Sequence, residues 1–420
     1  MWWEISGHLE TKNNELYIGG MSTLDLAKEF GTPLYVYNVN RILDNYRRFR
    51  DIISKYTDKE VRVHYAMKAN SNPGILRYLN AEGSWIDAVS PEEAELAINA
   101  GFPASKIMFT GTSVSNKDMR RILDHPGIMM NIDSSSQLKR LKELLSEYSI
   151  TSMDISFRID PGVTGAGGHW RTITAGKESH GIPIKFGIPE DEVLETYKKA
   201  VEDGFNPVGI HMHIGSQWLS DEEVKEYLFA VDSLLGKAQD VVKLLGCNLE
   251  FVDFGGGPGI PYKEEQNEFP LDWYAKETCK RVAESGLNFK ALLFEPGRYV
   301  VGDSSLLLTE VNTIKKRYGD LIVGVNSGFN HLIRPVLYGA YHEIINCNKV
   351  DELSNTEVTV VGNLCQTGDV LATKRKMPML EEGDILAFHN AGAYGYTMAS
   401  RYNLRELPKE ILIREGKIIN

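Results

Sequence analysis

A (β/α)8, TIM-like barrel followed by a second, mainly β domain is the α/β fold class this sequence predicts, on three observations. Strand-like and helix-like segments alternate from residue 33 to residue 295, and polar or charged residues recur where the strands end. Beyond about residue 300 the helical spacing fades and strands with turns take over. About eight or nine strands joined by helical crossovers is the rhythm of a barrel. A doubly wound open sheet competes, but it gathers its site at one switch point, whereas a barrel uses the carboxyl ends of many strands. Lys68, Asp87, Thr110, Asp133, Arg158, His213, Gly255 and Glu295 all fall at such ends.

The elements follow in order. "PLYVYN" reads as the opening strand, and "NRILDNYRRFRDII" has helical apolar spacing. "VRVHYAMK" is a strand, "NPGILRYLNAEG" a helix closed by glycine, and "SWIDAVS" a short strand. The next helix is punctuated at both ends: Ser90 as N-cap, Pro91 in the first position, Glu92 and Glu93 at the positive end of the dipole, Gly101 beyond the last turn. "KIMFTG", "GIMMNIDS", "DISFRID", "PVGIHMHIG", "LEFVDFGGG" and "KALLFEPGR" continue the strand series. The expected division is a barrel over residues 33–295 and a mainly β domain formed by residues 1–32 together with 296–420. The strand-like "ELYIGG" near the start joins that second domain. No repeats, low-complexity tracts or linkers interrupt the chain.

Composition narrows the function. The chain has 420 residues, enough for two cores, with 42% hydrophobic and 25% charged residues. A net charge of −11 argues against a nucleic-acid partner, which needs clustered Lys and Arg. The short basic runs at 315–317 and 374–376 read as solvated loops or helix ends. No apolar run approaches the roughly 20 residues that span a bilayer, and the N-terminus lacks the features of a secretory signal. Four widely spaced cysteines suit reduced thiols, so a cytoplasmic protein without membrane attachment is expected.

Several stretches carry chemistry. Lys68 ends a strand where a barrel would point it into the mouth; desolvation there frees an amine to attack a carbonyl, although a lone lysine is ordinarily a solvated surface group. "DFGGGPGIPY" follows a strand with three glycines that allow close backbone approach to an anion such as a phosphate. Pro258 stands where a dinucleotide-binding helix would open, so that rival is disfavoured. His211 and His213, two apart, would share one face of a strand. No further ligands at metal spacing accompany them, so no metal is expected, and a ring packed on a flat cofactor or a satisfied core histidine is the better reading. Glu295 and Arg298 in "FEPGRY" could serve as a general base, as a partner for a protonated ring nitrogen, or as a local salt bridge. Cys365 and Asp369 lie in "NLCQTGD", and small residues surround Tyr394 in "NAGAYGYTMASRYN".

Taken together, "GTPLYVYN", "YAMKAN", "HIGS", "GGGPG", "FEPGRY", "NLCQTGD" and "GAYGYTMASRYN" resemble the fold-type III, pyridoxal-phosphate-dependent decarboxylases, and within them the diaminopimelate decarboxylases, over nearly the whole chain. The resemblance implies pyridoxal 5'-phosphate attached at Lys68. His213 would stack on the pyridine ring, with Ser216 near the phosphate and Gly255, Gly256 and Gly257 binding that phosphate. Glu295 would pair with the ring nitrogen, while Asp87, Arg158, Arg298 and Tyr394 complete the cofactor pocket. Arg298, Arg334, Tyr338, Gln366 and Tyr394 would contact an amino-acid substrate. Cys365 would donate a proton from a neighbouring subunit, making the active unit a homodimer with shared sites. The loop at residues 161–182 resembles the active-site loop of one subgroup. The implied reaction converts meso-2,6-diaminopimelate to L-lysine and CO2.

Three departures stand out. Gln366 follows Cys365 where the family has glutamate, removing a carboxylate that would face the distal amine of the substrate. Asn326 stands where aspartate is common. The sequence ends at "REGKIIN", short of a helical tail common in relatives, a difference that bears on dimer edges. The alternative is a related decarboxylase acting on ornithine, arginine or carboxynorspermidine; Arg334 and Tyr338 argue for a carboxylate at the far end of the substrate. A catalytically dead binding homologue is disfavoured by Lys68, Glu295 and Cys365 together, and a racemase by the Cys365 loop.

Overall fold

The computed structural model describes residues 1–163 and 167–419. Contacts divide the chain into two compact units: Tyr46–Gly259 with Glu268–Tyr299, and Met1–Asn45 with Ile260–Asn267 and Val300–Asn420.

The first unit is a closed barrel of eight parallel strands in sequence order: Glu60–Ala66, Trp85–Ala88, Ile107–Phe109, Met129–Ile132, Asp154–Arg158, Asn206–His211, Phe251–Asp253 and Ala291–Phe294. The last pairs back with the first, Ala291 opposite Glu60. Closure leaves no edge strand, so these short strands need no protecting cover against edge pairing. The crossover helices start where the sequence marks them. Asn72 accepts from the N–H groups of Gly74 and Ile75 ahead of Pro73, and Ser90 accepts from Glu93 ahead of Pro91. Each such cap is worth about 1 kcal/mol. Helix Asp221–Leu245 opens with a reciprocal Ser220–Glu223 capping box and stops at Gly246 in the left-handed region.

The second unit holds a nine-stranded sheet and a small three-stranded one near the N-terminus. Leu34–Asn38 lies here, antiparallel to Ser305–Arg317 and parallel to Lys409–Arg414. That corrects its assignment as the first barrel strand. All five of its residues are buried, so it shows no alternation to reveal which sheet it enters. The early strand Glu15–Ile18 lies in this unit: Leu16 and Ile18 share a core with Leu34, Val36, Leu306, Leu308, Ile411 and Ile413. The basic runs also differ from expectation. Residues 315–317 and 374–376 lie on strands Ser305–Arg317 and Val370–Met377, with Lys315 opposite Ile322 and Lys376 opposite Glu357. Backbone pairing continues past the core while most of these charged side chains stay in water.

Asn326 gains a role that its spacing does not reveal. Its amide oxygen accepts from the Glu310 N–H at 3.0 Å, and its amide nitrogen donates to Thr32 Oγ1 at 2.7 Å and Thr32 O at 3.1 Å. An ionised aspartate could accept the first bond but could not donate the other two.

Candidate active site

The barrel strands end on a set of converging side chains. Lys68 sits two residues past the first strand, its Nζ 2.9 Å from Asp87 Oδ2 at the end of the second; Asp87 is wholly buried. Burial raises the Asp87 carboxyl above its usual range, the charge of Glu295 adds to this, and Lys68 opposes it. Glu93, one turn into the following helix, accepts the Val89 N–H at 2.8 Å, and burial pushes its carboxyl up to about 7.

Across the barrel, Glu295 follows the eighth strand and is buried. Its Oε2 lies 3.1 Å from His211 Nε2. Burial opposes its charge, but His211, Lys68 and His213 outweigh burial and hold this carboxyl well below the ordinary range. Asp253, at the end of the seventh strand, completes a group in which one atom each of His211, Asp253 and Glu295 lies within 4.8 Å of the others. Burial, then the Glu295 charge, pushes Asp253 well up, in the opposite direction to Glu295.

The sixth strand stops at His211, so His213 is in the loop beyond it and does not share a strand face with His211. Its Nδ1 accepts the Gly256 N–H at 3.2 Å, and burial lowers its basicity. The turn at Gly255–Gly257 is built for glycine. Gly255 and Gly257 have φ of 67° and 124°. A Cβ on Gly255 would collide with the Met212 carbonyl, on Gly256 with the Glu295 carbonyl, and on Gly257 with the Trp218 ring. Two of the three N–H groups expected to face a phosphate are spent inside the turn, because Gly255 donates to Asp253 Oδ1 at 2.9 Å and Gly256 to His213. Arg298 opens a short helix after the eighth strand and reaches Ser216 Oγ at 3.4 Å. Arg158 is buried, with its guanidinium 4.4 Å from the Phe186 ring centre and 3.5 Å from the His213 carbonyl. The loop at residues 161–182, of which 164–166 lie outside the described residues, runs beside this segment: Thr174 Oγ1 donates to the His213 carbonyl at 2.8 Å, and the Gly168 N–H to Ser216 at 3.1 Å.

The remaining candidates belong to the second unit. Arg334 and Tyr338 share the short helix Arg334–Tyr338. Arg334 is buried, its Nη1 2.8 Å from His342 Nε2 and its guanidinium 4.6 Å from the Tyr262 ring centre. Cys365 and Gln366 are exposed on a tight turn. Asp369 braces that turn: its carboxylate accepts the N–H groups of Phe329 at 2.7 Å and Leu364 at 2.9 Å. The Cys365 N–H donates to Asn403 Oδ1 at 2.8 Å. Tyr394 takes a left-handed φ of 56°, next to Gly395, where a side chain would meet the Ala391 carbonyl and the Tyr35 ring.

Spacing alone did not single out Asp253 or Glu93, nor the pairing of His211 with Glu295. An acidic residue just before the three glycines was the visible signal for Asp253; Glu93 reads as an ordinary helix-start acid.

The family model for the pyridoxal-dependent decarboxylase, pyridoxal binding domain, matches residues 40–302. Diaminopimelate decarboxylase of Methanothermobacter thermautotrophicus is 44% identical over 408 residues, covering 96% of this chain and 91% of that one. The crystal structure of diaminopimelate decarboxylase from M. jannaschii in complex with L-lysine superposes with a TM-score of 0.88 at 31% identity, covering 98% of this chain and 94% of that one. The Helicobacter pylori enzyme complexed with L-lysine gives 0.85 at 32%, covering 94% and 95%. The chain belongs to the pyridoxal-dependent decarboxylases and, within them, to the diaminopimelate decarboxylase family.

Proposed function

We propose that this chain is a carboxy-lyase that converts meso-2,6-diaminopimelate to L-lysine and CO2, the closing step of lysine biosynthesis by that route, with pyridoxal phosphate as cofactor. The observation that carries the reading is the Lys68 amine, held 2.9 Å from Asp87 in a barrel whose other strand ends bring Glu295 and the glycine turn.

The residues fit this cofactor. Lys68 offers the amine for covalent attachment, and the glycine turn packs its backbone against the Met212 and Glu295 carbonyls and the Trp218 ring, where no side chain could stand. Glu295 Oε1 is buried and accepts no hydrogen bond among the described residues, so a protonated ring nitrogen would satisfy it. The phosphate would lie against the Gly255–Gly257 turn with Ser216 and Arg298, and His213 and Arg158 would flank the ring. Pyridoxal phosphate, when bound, supplies a ring system that takes up the electron pair left behind by CO2.

The chain's own groups do the rest. The charge of Glu295 would hold a proton at the ring nitrogen, which would preserve that electron demand. Asp87 would orient the Lys68 amine, the group that would hold the cofactor covalently. Arg334 and Tyr338, with Arg298, grip the substrate carboxylate that must survive; a guanidinium fork suits that bidentate task. Cys365 donates the proton that replaces CO2, and Tyr394 with Gln366 contacts the bound amino acid. Cys365 and Gln366 would be contributed by a second copy, so the active species is a homodimer with shared sites. Four free cysteines fit a reducing cytoplasm. No helix among the described residues is long and apolar enough to cross a membrane.

Gln366 favours a second reading, in which another basic amino acid is the substrate, because an amide offers the distal amine no charge. CO2 release from meso-diaminopimelate, L-ornithine, L-arginine, L-lysine and carboxynorspermidine decides between them, on wild type and on Gln366→Glu. Preference for meso-diaminopimelate by the wild type is expected; turnover of another amine instead would replace the substrate assignment.

A further inference from the structure

We infer that His211 is a positioning residue for Glu295, fixing the carboxylate in the orientation that meets the cofactor's ring nitrogen. The inference rests on the role given to Glu295 above. His211 is the last residue of the sixth barrel strand, in register with Arg158 on one side and Asp253 on the other. It is fully buried, so the strand and its packing hold the ring in place. Its Nε2 lies 3.1 Å from Glu295 Oε2. The Glu295 backbone is tied down separately, its N–H donating to Gly255 O at 2.9 Å. A glutamate has three side-chain torsions, the last of them broad, so a tethered backbone alone does not aim its carboxylate. Buried carboxyl groups surround it: Asp87 and Asp253 both interact electrostatically with Glu295. The Asp253 carboxyl also bonds to Glu295, but His211 is the nitrogen donor at its Oε2, and removing that donor would let the carboxylate turn.

The test uses cofactor-loaded wild type, His211→Phe, His211→Gln, Glu295→Gln and the double variant His211→Phe/Glu295→Gln. His211→Phe is expected to lower kcat by about 10- to 100-fold, the usual effect of losing the partner that orients a working group. KM should stay within about threefold. Its visible cofactor band should move in the same direction as that of Glu295→Gln. His211→Gln, whose amide can still donate, should regain at least about tenfold of the loss. The double variant should be no slower than Glu295→Gln alone, since His211 acts through Glu295. A wild-type band and kcat in His211→Phe, or full additivity in the double variant, would overturn the inference. If phenylalanine does not fold, His211→Asn, whose amide falls short of Glu295, replaces it with the same expectations. A Glu295→Gln variant with unchanged band and rate would instead remove the role of Glu295, and the inference with it.

Discussion

Glu93 ties the stability of the barrel to pH. Its carboxyl is pushed up from 4.5 to about 7 in the folded chain, chiefly by burial, with the charge of Asp87 adding to the effect. A folded value above the unfolded one means that the contribution is complete below pH 4.5 and is lost as pH rises through 7. Integrating this linkage between pH 5 and pH 8 gives a loss of about 2.5 kcal/mol. Glu93→Gln keeps an oxygen for the Val89 N–H but cannot titrate. Chemical denaturation of both proteins at half-unit pH steps measures the difference in unfolding free energy, which cancels groups common to both. Relative to wild type, the variant should gain stability as pH rises, by about 2 to 3 kcal/mol across that range, with the steepest change midway between the unfolded and folded values and levelling off above pH 7. A difference that stays flat with pH would refute the argument, since it would mean that Glu93 is as well solvated folded as unfolded.

Two further outcomes follow from the second unit. Asp369→Ala strips two N–H groups of a carboxylate acceptor, which should cost about 3 to 5 kcal/mol in unfolding free energy. It should also slow turnover with little change in KM, because the turn carrying Cys365 loses its brace; a stable, fully active variant would contradict this. For the dimer, Lys68→Ala and Cys365→Ala should each be inactive alone but regain up to about a quarter of wild-type activity when unfolded and refolded together, because one of the two mixed sites is intact. Continued inactivity of the mixture would count against shared sites.

Much of this architecture can be read from the chain. The barrel shows because each short apolar run ends in a polar residue and is followed by a capped helix, as at Ser90-Pro91 and Asn72-Pro73. Lys68, Asp87 and Glu295 are legible for the same reason, each standing where a strand stops. Leu34–Asn38 was misplaced because a strand buried on both faces carries no sign of its sheet. The His211–Asp253–Glu295 group was hidden because its members come from three successive strands, and only the lateral register of a closed barrel brings them together. Backbone donors are equally invisible in a sequence. Nothing in "GGGPG" reveals that two of its N–H groups go to Asp253 and His213.

The most direct measurement concerns Lys68. The cofactor-loaded protein is treated with borohydride, digested and mapped by mass spectrometry, with Lys68→Ala alongside. The expected result is a single pyridoxyl-modified peptide carrying Lys68, absent from the variant together with the visible band. Modification at another lysine, or a visible band that survives in Lys68→Ala, would contradict the placement of the reaction at this barrel mouth.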